Sequence, residues 1–180
     1  MSTHPETQRG SAEPVPEEQA MILAFDVGGT RIKAGLVHRT EIMALHVEPL
    51  SQMGAPPDLV QTLVELGERV RANIPVQAVG ISMKGIVDPQ QGSLLDVNET
   101  WAHLIGEPFA QQISEAFGLP AFVENDARMY TVGELLYGAG RDVDNVLCLT
   151  LGTGIGSGVA LQRRVLRGPR GCSGILGGHI

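Results

Sequence analysis

Two stretches of this chain repeat one pattern of apolar residues and glycines at a distance of 124 residues. The first is ILAFDVGGTRIKAGLV, residues 22–37, and the second is VLCLTLGTGIGSGVAL, residues 146–161. Each predicts an apolar strand, a glycine-rich turn and a second apolar strand, and one such unit is usually only a hairpin. Two of them in the same surroundings indicate a duplicated unit. They predict that the two glycine turns face each other across a cleft.

The apolar spacing around these two units predicts an α/β fold with a mixed sheet. Runs bounded by turn residues predict strands over 21–26, 30–38, 42–47, 76–82, 121–123, 145–151 and 156–162. Helical spacing predicts helices over 58–72, 106–117 and 127–137. Residues 84–101 are predicted to form a loop region.

The composition restricts the class of protein and its partners. With 180 residues, 43% hydrophobic and 18% charged, the chain suits one full globular domain, or one and part of a second. A net charge of −7 disfavours a nucleic-acid surface, which would carry a basic stripe. The uncharged run 145–162 contains four glycines, which indicate a buried strand and turn and not a membrane span. We therefore expect neither a nucleic-acid partner nor a membrane partner.

The cysteines and the first residues bear on location. Cys148 and Cys172 have neither metal-ligand spacing nor the spacing of a disulfide framework, so a reducing cytoplasm is expected. Residues 1–20 are polar and lack the apolar segment of a signal peptide. They predict a disordered leader.

The residues of the two turns suit phosphate binding. Glycines let backbone N–H groups approach an anion, and a threonine hydroxyl adds a donor. The turns contain Gly28, Gly29 and Thr30 in the first unit and Gly152, Thr153 and Gly154 in the second. Asp26 would repel a phosphate directly, but its carboxylate can hold Mg²⁺ that bridges phosphate oxygens.

An adjacent pair, Asn125 and Asp126, lies between the two units, after a short apolar strand and before a helical pattern. Asn and Asp are favoured at helix N-caps, so a cap is the simplest interpretation. Close to two phosphate loops a second interpretation gains weight. Phosphoryl transfer to a hydroxyl needs a carboxylate that takes the proton, and an adjacent amide can hold a neighbouring hydroxyl. Both interpretations stay open at this point.

Together with these residues, several collinear motifs resemble the ROK family (repressors, open reading frames and sugar kinases) of the actin-like ATPase superfamily. The motifs are DVGGTRIKAG at 26–35, VGISMKGIVD at 79–88, NETW at 98–101, VENDARMYTVGE at 123–134, GAGR at 138–141, LTLGTGIGSGV at 149–159 and RGPRGCSGILGGHI at 167–180. Each alone is weak, but the set is highly specific. The resemblance implies the actin-like ATPase (ribonuclease H-like) fold, with a leader over 1–20, a complete N-terminal domain over 21–120 and the beginning of a second, duplicated domain over 121–180.

The resemblance also implies a kinase of hexoses or N-acetylhexosamines that uses ATP and Mg²⁺. By motif match Asp126 is similar to the catalytic base and Asn125 to its sugar-binding partner, while Gly85 and Asn98 fall where the family lines its sugar pocket. The residues expected at the ATP phosphates are Asp26, Gly28, Gly29, Thr30, Lys33, Gly152, Thr153 and Gly154, with Asp26 also as the Mg²⁺ ligand. Kinases of this family are often dimers, so a homodimer is a further expectation.

The chain departs from the family pattern in three places. Lys84 stands where a proline is common before the pocket glycine. The family's Gly-Glu-x-Gly-His segment corresponds to GILGGH at 174–179, which has no glutamate to accept hydrogen bonds from a sugar. His179 would be the histidine that reaches sugar and structural zinc. The family's cysteine-rich zinc loop and the rest of its second domain have no counterpart, so we expect a truncated chain, with zinc only in a longer one.

Two other functions compete with the kinase. A non-catalytic or degenerate sugar-binding or nucleotide-binding protein of the same family would explain the missing glutamate. A DNA-binding repressor is disfavoured, because only about twenty polar residues precede Met21, too few for a winged helix-turn-helix. The remaining alternative is purely structural, with two glycine hairpins that merely turn the chain.

Overall fold

The computed structural model describes residues 20–52, 58–88, 90–97, 99–152 and 154–175. The strands are β1 (Met21–Val27), β2 (Arg31–His38), β3 (Glu41–Pro49), β4 (Ala78–Met83), β5 (Ile86–Val87), β6 (Leu94–Asp96), β7 (Ala121–Asn125), β8 (Val146–Leu151), β9 (Ile155–Leu161) and β10 (Arg164–Val165). The α-helices are α1 (Leu59–Arg71), α2 (Phe109–Phe117) and α3 (Asp126–Leu136). Short 3-10 helices span Leu50–Gln52 and Glu99–Leu104.

The predicted strands and helices are confirmed in type and order. The prediction missed structure in the loop region, where β5 pairs antiparallel with β6 and a 3-10 helix follows. These strands contain two and three residues, which is too short for an alternating pattern to stand out.

The first sheet has five strands in the order β3-β2-β1-β4-β7. Strand β1 lies at its centre, antiparallel to β2 and parallel to β4, so the predicted mixed sheet is confirmed. The last strand of this sheet is β7, which pairs in parallel with β4 and leads directly into α3. The predicted division into domains at residue 121 stays a prediction, with β7 hydrogen-bonded to the first sheet.

One face of this sheet forms the hydrophobic core beneath α1 and α2. Asp58 is the N-cap of helix α1, and its Oδ1 accepts a hydrogen bond from the Gln61 amide at 3.1 Å. Its apolar stripe is buried and consists of Leu59, Leu63, Leu66 and Val70. Full burial of each leucine contributes about 1.5–3 kcal/mol. The sheet and its helices thereby hold the carboxyl ends of β1 and β4 in fixed positions.

A second sheet, in the order β10-β9-β8, packs against α3. The helix approaches β9 so closely that a Cβ at Gly158 would overlap the Thr131 hydroxyl, and one at Gly156 would lie 3.1 Å from the Ala127 Cβ. These two glycines therefore serve helix packing. Among the described helices, none is both long enough and apolar enough to cross a membrane.

Candidate active site

Asp26 lies near the carboxyl end of β1, between strands β2 and β4. In the sheet register it lies beside Lys33 of β2 and Ser82 of β4. Lys33 Nζ donates a hydrogen bond to Asp26 Oδ2 at 2.7 Å, and the two side chains are 35% and 34% exposed. The strand pairing thus brings together two residues that were both predicted at the phosphates. It gives the carboxylate a fixed cationic neighbour.

The first glycine turn is anchored at its base and open at its tip. The Gly28 amide donates to the Arg31 carbonyl at 3.1 Å, and the Leu50 amide donates to the Thr30 carbonyl at 2.9 Å. The fully buried Trp101 reaches the same turn, with its Nε1 donating to the Gly28 carbonyl at 3.4 Å. Gly29 and Thr30 remain exposed to solvent. The turn is therefore held in shape by its neighbours while its tip can meet a ligand.

Asn125 caps α3, as the simpler of the two interpretations predicted. Its Oδ1 accepts from the Arg128 amide at 3.1 Å. Its Nδ2 donates to the Gly85 carbonyl at 2.7 Å and to Asp126 Oδ1 at 3.1 Å. Both amide protons are thus engaged within the protein, and the residue is only 4% exposed. A direct contact between Asn125 and a sugar stays a prediction. In the described contacts, Asn125 holds the carboxylate of Asp126 through its Nδ2.

Gly85 holds the other end of this arrangement. Its φ of +124° lies in a region that side-chain-bearing residues rarely adopt, and a Cβ there would overlap the Asp96 carbonyl oxygen. Only glycine fits, and its carbonyl is then directed at Asn125. A role for Gly85 in lining a sugar pocket stays a prediction.

Asp126 begins α3 in an environment that favours its protonated form. Burial raises the pKa of Asp126 above the 3.8 usual for an aspartate, and the negative charge of Asp26 raises it further. The Ala127 amide, which donates to Asp126 Oδ1 at 2.8 Å, and the charge of Lys84 act in the opposite direction on that pKa. The charge of Asp26 therefore acts on Asp126, although the two residues belong to different elements. A raised pKa makes Asp126 a better proton acceptor than a solvated aspartate.

A cavity of about 310 Å³ lies beside these residues. It is lined by Asp26, Ser82, Met129, Tyr130, Gly133 and Glu134. Asp126 shares a face of α3 with Met129, Tyr130 and Gly133, which follow it by three, four and seven residues. The helix face that begins with Asp126 thus forms one wall, and the carboxyl ends of β1 and β4 form the other. The residues of the first wall could be predicted from the sequence by helical spacing from Asp126. Ser82 could be placed at the cavity only once the pairing of β4 with β1 was known.

The second glycine turn differs from the first in length. Three residues separate the paired residues Leu151 and Ile155, whereas four separate the paired Val27 and Ile32. The Gly152 amide donates to the Gly154 carbonyl at 3.0 Å, and a Cβ on either glycine would meet no other atom within 4 Å. Packing does not explain these two glycines. Whether the two turns face each other across a cleft stays a prediction.

The two units also differ in charge. At the register positions of Asp26 and Lys33, the second unit has Thr150 and Gly156. The charged pair therefore belongs to the first unit alone. Thr153, Asn98 and His179 lie outside the described residues, and their predicted roles stay predictions.

The residues around Asp26 fit Mg²⁺. This ion is typically bound in proteins by one or two carboxylates, with phosphate oxygens and waters in the other positions. Asp26 supplies a partly exposed carboxylate at the cavity and would hold the ion there. Within the described ranges, no three His, Cys, Asp or Glu side chains gather into a metal cluster. The predicted zinc ligand, His179, lies outside those ranges.

Comparison with known proteins identifies the family. The chain matches the ROK family over residues 22–180 and belongs to it. It is 33% identical over 162 residues to a glucokinase from Streptomyces coelicolor. The aligned region covers 89% of this chain and 49% of the glucokinase. The chain thus spans about half the length of the curated relatives that it matches.

Solved structures confirm the actin-like ATPase fold class. A ROK family glucokinase from Streptomyces griseus, in complex with glucose and AMPPNP, matches with a TM-score of 0.70 and 30% identity, over 86% of this chain and 49% of that one. A ROK family transcriptional regulator, a homologue of the E. coli MLC protein, matches with a TM-score of 0.75 and 26% identity, over 88% and 41%. The fold is shared by kinases and regulators, so function has to be argued from the site.

Proposed function

We propose that this protein phosphorylates a hexose or an N-acetylhexosamine with ATP. The observation that carries the proposal is Asp126, a partly buried carboxyl whose pKa is raised and whose orientation is fixed by two hydrogen bonds. A glucokinase relative, and a glucokinase structure that holds glucose and AMPPNP, support the same class of reaction. A cytoplasmic location and a homodimer accompany the proposal as predictions.

Asp126 is the base of the proposed reaction. Both hydrogen bonds that fix its carboxylate, from the Ala127 amide and from Asn125 Nδ2, go to Oδ1. Oδ2 accepts neither of these two bonds, so this oxygen is the one that would take the proton of the sugar hydroxyl. The hydroxyl oxygen would attack the γ-phosphorus as the bond from that phosphorus to the ADP oxygen breaks, in line with the attack. Burial of the carboxyl favours proton uptake at this step.

The phosphate side of the site would be formed by the first glycine turn and its charged neighbours. The exposed Gly29 and Thr30 would meet phosphate oxygens with backbone N–H groups and a hydroxyl. Lys33, at 2.7 Å from Asp26, orients that carboxylate and adds positive charge. When Mg²⁺ is bound, it neutralises charge on the phosphates. Gly152 and Gly154 would bind the phosphates from the second unit, since no packing contact requires them to be glycine.

A non-catalytic sensor is the second candidate, and the similarity to a transcriptional regulator favours keeping it. It requires sugar or nucleotide binding but no base. Asp126 would then be a helix-terminal residue without a chemical role. The two candidates therefore differ in what Asp126 does, and a conservative change of that side chain separates them.

The test is ATP-dependent phosphorylation of glucose, N-acetylglucosamine and N-acetylmannosamine by the 180-residue chain and two variants. Asp126→Asn keeps the size and the Oδ1 acceptor but removes the base, and we expect kcat to fall by about 10²–10⁴-fold with nucleotide binding retained. Asp142→Asn makes the same chemical change at an 85% exposed side chain and should leave the rate unchanged. If Asp126→Asn phosphorylates sugar at the wild-type rate, Asp126 is not the base. A wild-type chain that binds sugar and nucleotide without turnover would favour the sensor.

A further inference from the structure

The structure contains a fully buried arginine two residues after the proposed base, in the same turn of α3. Arg128 is 0% exposed and lies in the first turn of α3. Its Nη2 donates to the carbonyls of Gly171 at 2.6 Å, Ser173 at 2.8 Å and Arg167 at 3.4 Å. Its Nε has no partner within the described residues. Burying a guanidinium costs more than burying an apolar side chain of the same size, and these hydrogen bonds offset that cost.

Glu124 connects this arginine to the residues of the site. Its Oε1 accepts from Arg128 Nη1 at 3.3 Å and from the Asn125 amide at 2.9 Å. Its Oε2 accepts from Arg167 Nε at 2.5 Å. One carboxylate oxygen thus binds the start of α3, and the other binds the segment 167–173. The side chain is 14% exposed, which limits screening of these contacts by solvent.

Asn125 is consequently held from two directions. Its amide N–H is bound by Glu124, and its Oδ1 is bound by the Arg128 amide. Its Nδ2 then reaches Asp126 Oδ1. A continuous series of hydrogen bonds runs from the carbonyls of Gly171 and Ser173, through Arg128 and Glu124, to the carboxylate of Asp126.

We propose that Arg128 is a positioning residue that couples the arrangement of segment 167–173 to the orientation of Asp126. The proposal deepens the proposed function and rests on Asp126 as the base. Arg128 touches no substrate in this account. It acts by holding Glu124 and Asn125 so that Asp126 Oδ1 stays bonded and Oδ2 stays directed at the hydroxyl.

A second arginine, which is exposed, provides a control with similar carbonyl contacts. Arg163 also binds three backbone carbonyls, those of Leu135 at 2.8 Å, Arg141 at 2.8 Å and Val143 at 3.0 Å. It holds the C-terminal end of α3, away from Asp126. Arg128→Met and Arg163→Met each remove a guanidinium that ties a loop to the same helix, so both are expected to lower the melting temperature. Only the first should disturb the site.

The distinguishing readout is the titration of the Asp126 carboxyl, followed by carbon NMR in the wild type and both variants. Arg128→Met should raise the pKa of Asp126, because the Asn125 Nδ2 donor that stabilises the ionised form is no longer held in place. Arg163→Met should leave that pKa unchanged. Equal titration of Asp126 in the wild type and Arg128→Met would overturn the proposal and leave Arg128 with a purely structural role.

Kinetics give a second, independent readout. Where the wild type phosphorylates sugar, Arg128→Met should lower kcat by up to about 100-fold with sugar KM nearly constant, since misplacing a reacting group affects the transition state most. Arg128→Lys, which keeps the charge and part of the carbonyl contacts, should recover part of the loss and serves if Arg128→Met does not fold. Activity tests the proposed function and the titration tests the coupling, so the two can fail separately.

Discussion

The two strand–turn–strand units place equivalent residues in opposite environments. In β1, Leu23, Phe25 and Val27 are 0%, 3% and 1% exposed, whereas their counterparts in β8, Leu147, Leu149 and Leu151, are 58%, 55% and 81% exposed. Helices α1 and α2 cover this face of the first sheet, while α3 packs on the other face of β8 and β9. A repeated sequence pattern thus predicts strands correctly, but the helices that cover the sheet determine which face is buried.

The units differ in chemistry in the same way. The first has a paired Asp26 and Lys33 beside a cavity, and the second has Thr150 and Gly156 beneath α3. The charged residues lie where the ends of the strands border the cavity. The small residues lie where α3 packs closely on the second sheet.

The largest expected difference between the units is in stability. Leu23→Ala should lower the free energy of unfolding by about 2–5 kcal/mol, because it leaves a cavity under α1. Leu149→Ala, at the equivalent position of the second unit, should change it by less than about 0.5 kcal/mol, because that side chain is already exposed. Urea unfolding of both variants measures the difference. Similar losses would mean that the second sheet face is covered in solution.

The glycines of the second unit should fall into two groups. Gly158→Ala forces a methyl group against the Thr131 hydroxyl and should lower the free energy of unfolding by about 1–3 kcal/mol. Gly152→Ala meets open space, so its stability should stay within about 0.5 kcal/mol of the wild type while nucleotide binding weakens. Calorimetric titration with AMPPNP and Mg²⁺, beside urea unfolding, separates the two effects. Unchanged binding in Gly152→Ala would argue for a simple hairpin.

Replacing Asp126 should have a smaller effect on the free energy of unfolding, and this effect should depend on pH. Because its pKa is raised in the folded state, its contribution to stability is complete below the unfolded pKa and is lost as the pH rises through the folded pKa. Asp126→Asn removes this ionisation, so the variant should be more stable than the wild type at pH 7. Below about pH 3.8, urea unfolding should give the same free energy of unfolding for the variant and the wild type. A variant that is less stable at neutral pH would contradict the raised pKa.

Most of the fold could be predicted from local patterns, and most of the site could not. Alternation and helical spacing were sufficient for the strands and helices, and an Asn before a helical pattern was sufficient for the cap at Asn125. By contrast, Ser82 reaches the site only because β4 pairs in parallel with β1. Trp101 and Arg128 act through bonds to Gly28 and to the carbonyls of segment 167–173, far away in sequence. Such partners depend on packing between elements, which no local pattern contains.

Asp26 and Asp126 belong to one electrostatic site. The most direct test is the pKa of Asp126, measured by carbon NMR in the wild type, Asp26→Asn and Lys84→Gln. We expect Asp126 to titrate above 3.8 in the wild type, at lower pH in Asp26→Asn and at higher pH in Lys84→Gln. An Asp126 that titrates at or below 3.8 and responds to neither change would contradict the account.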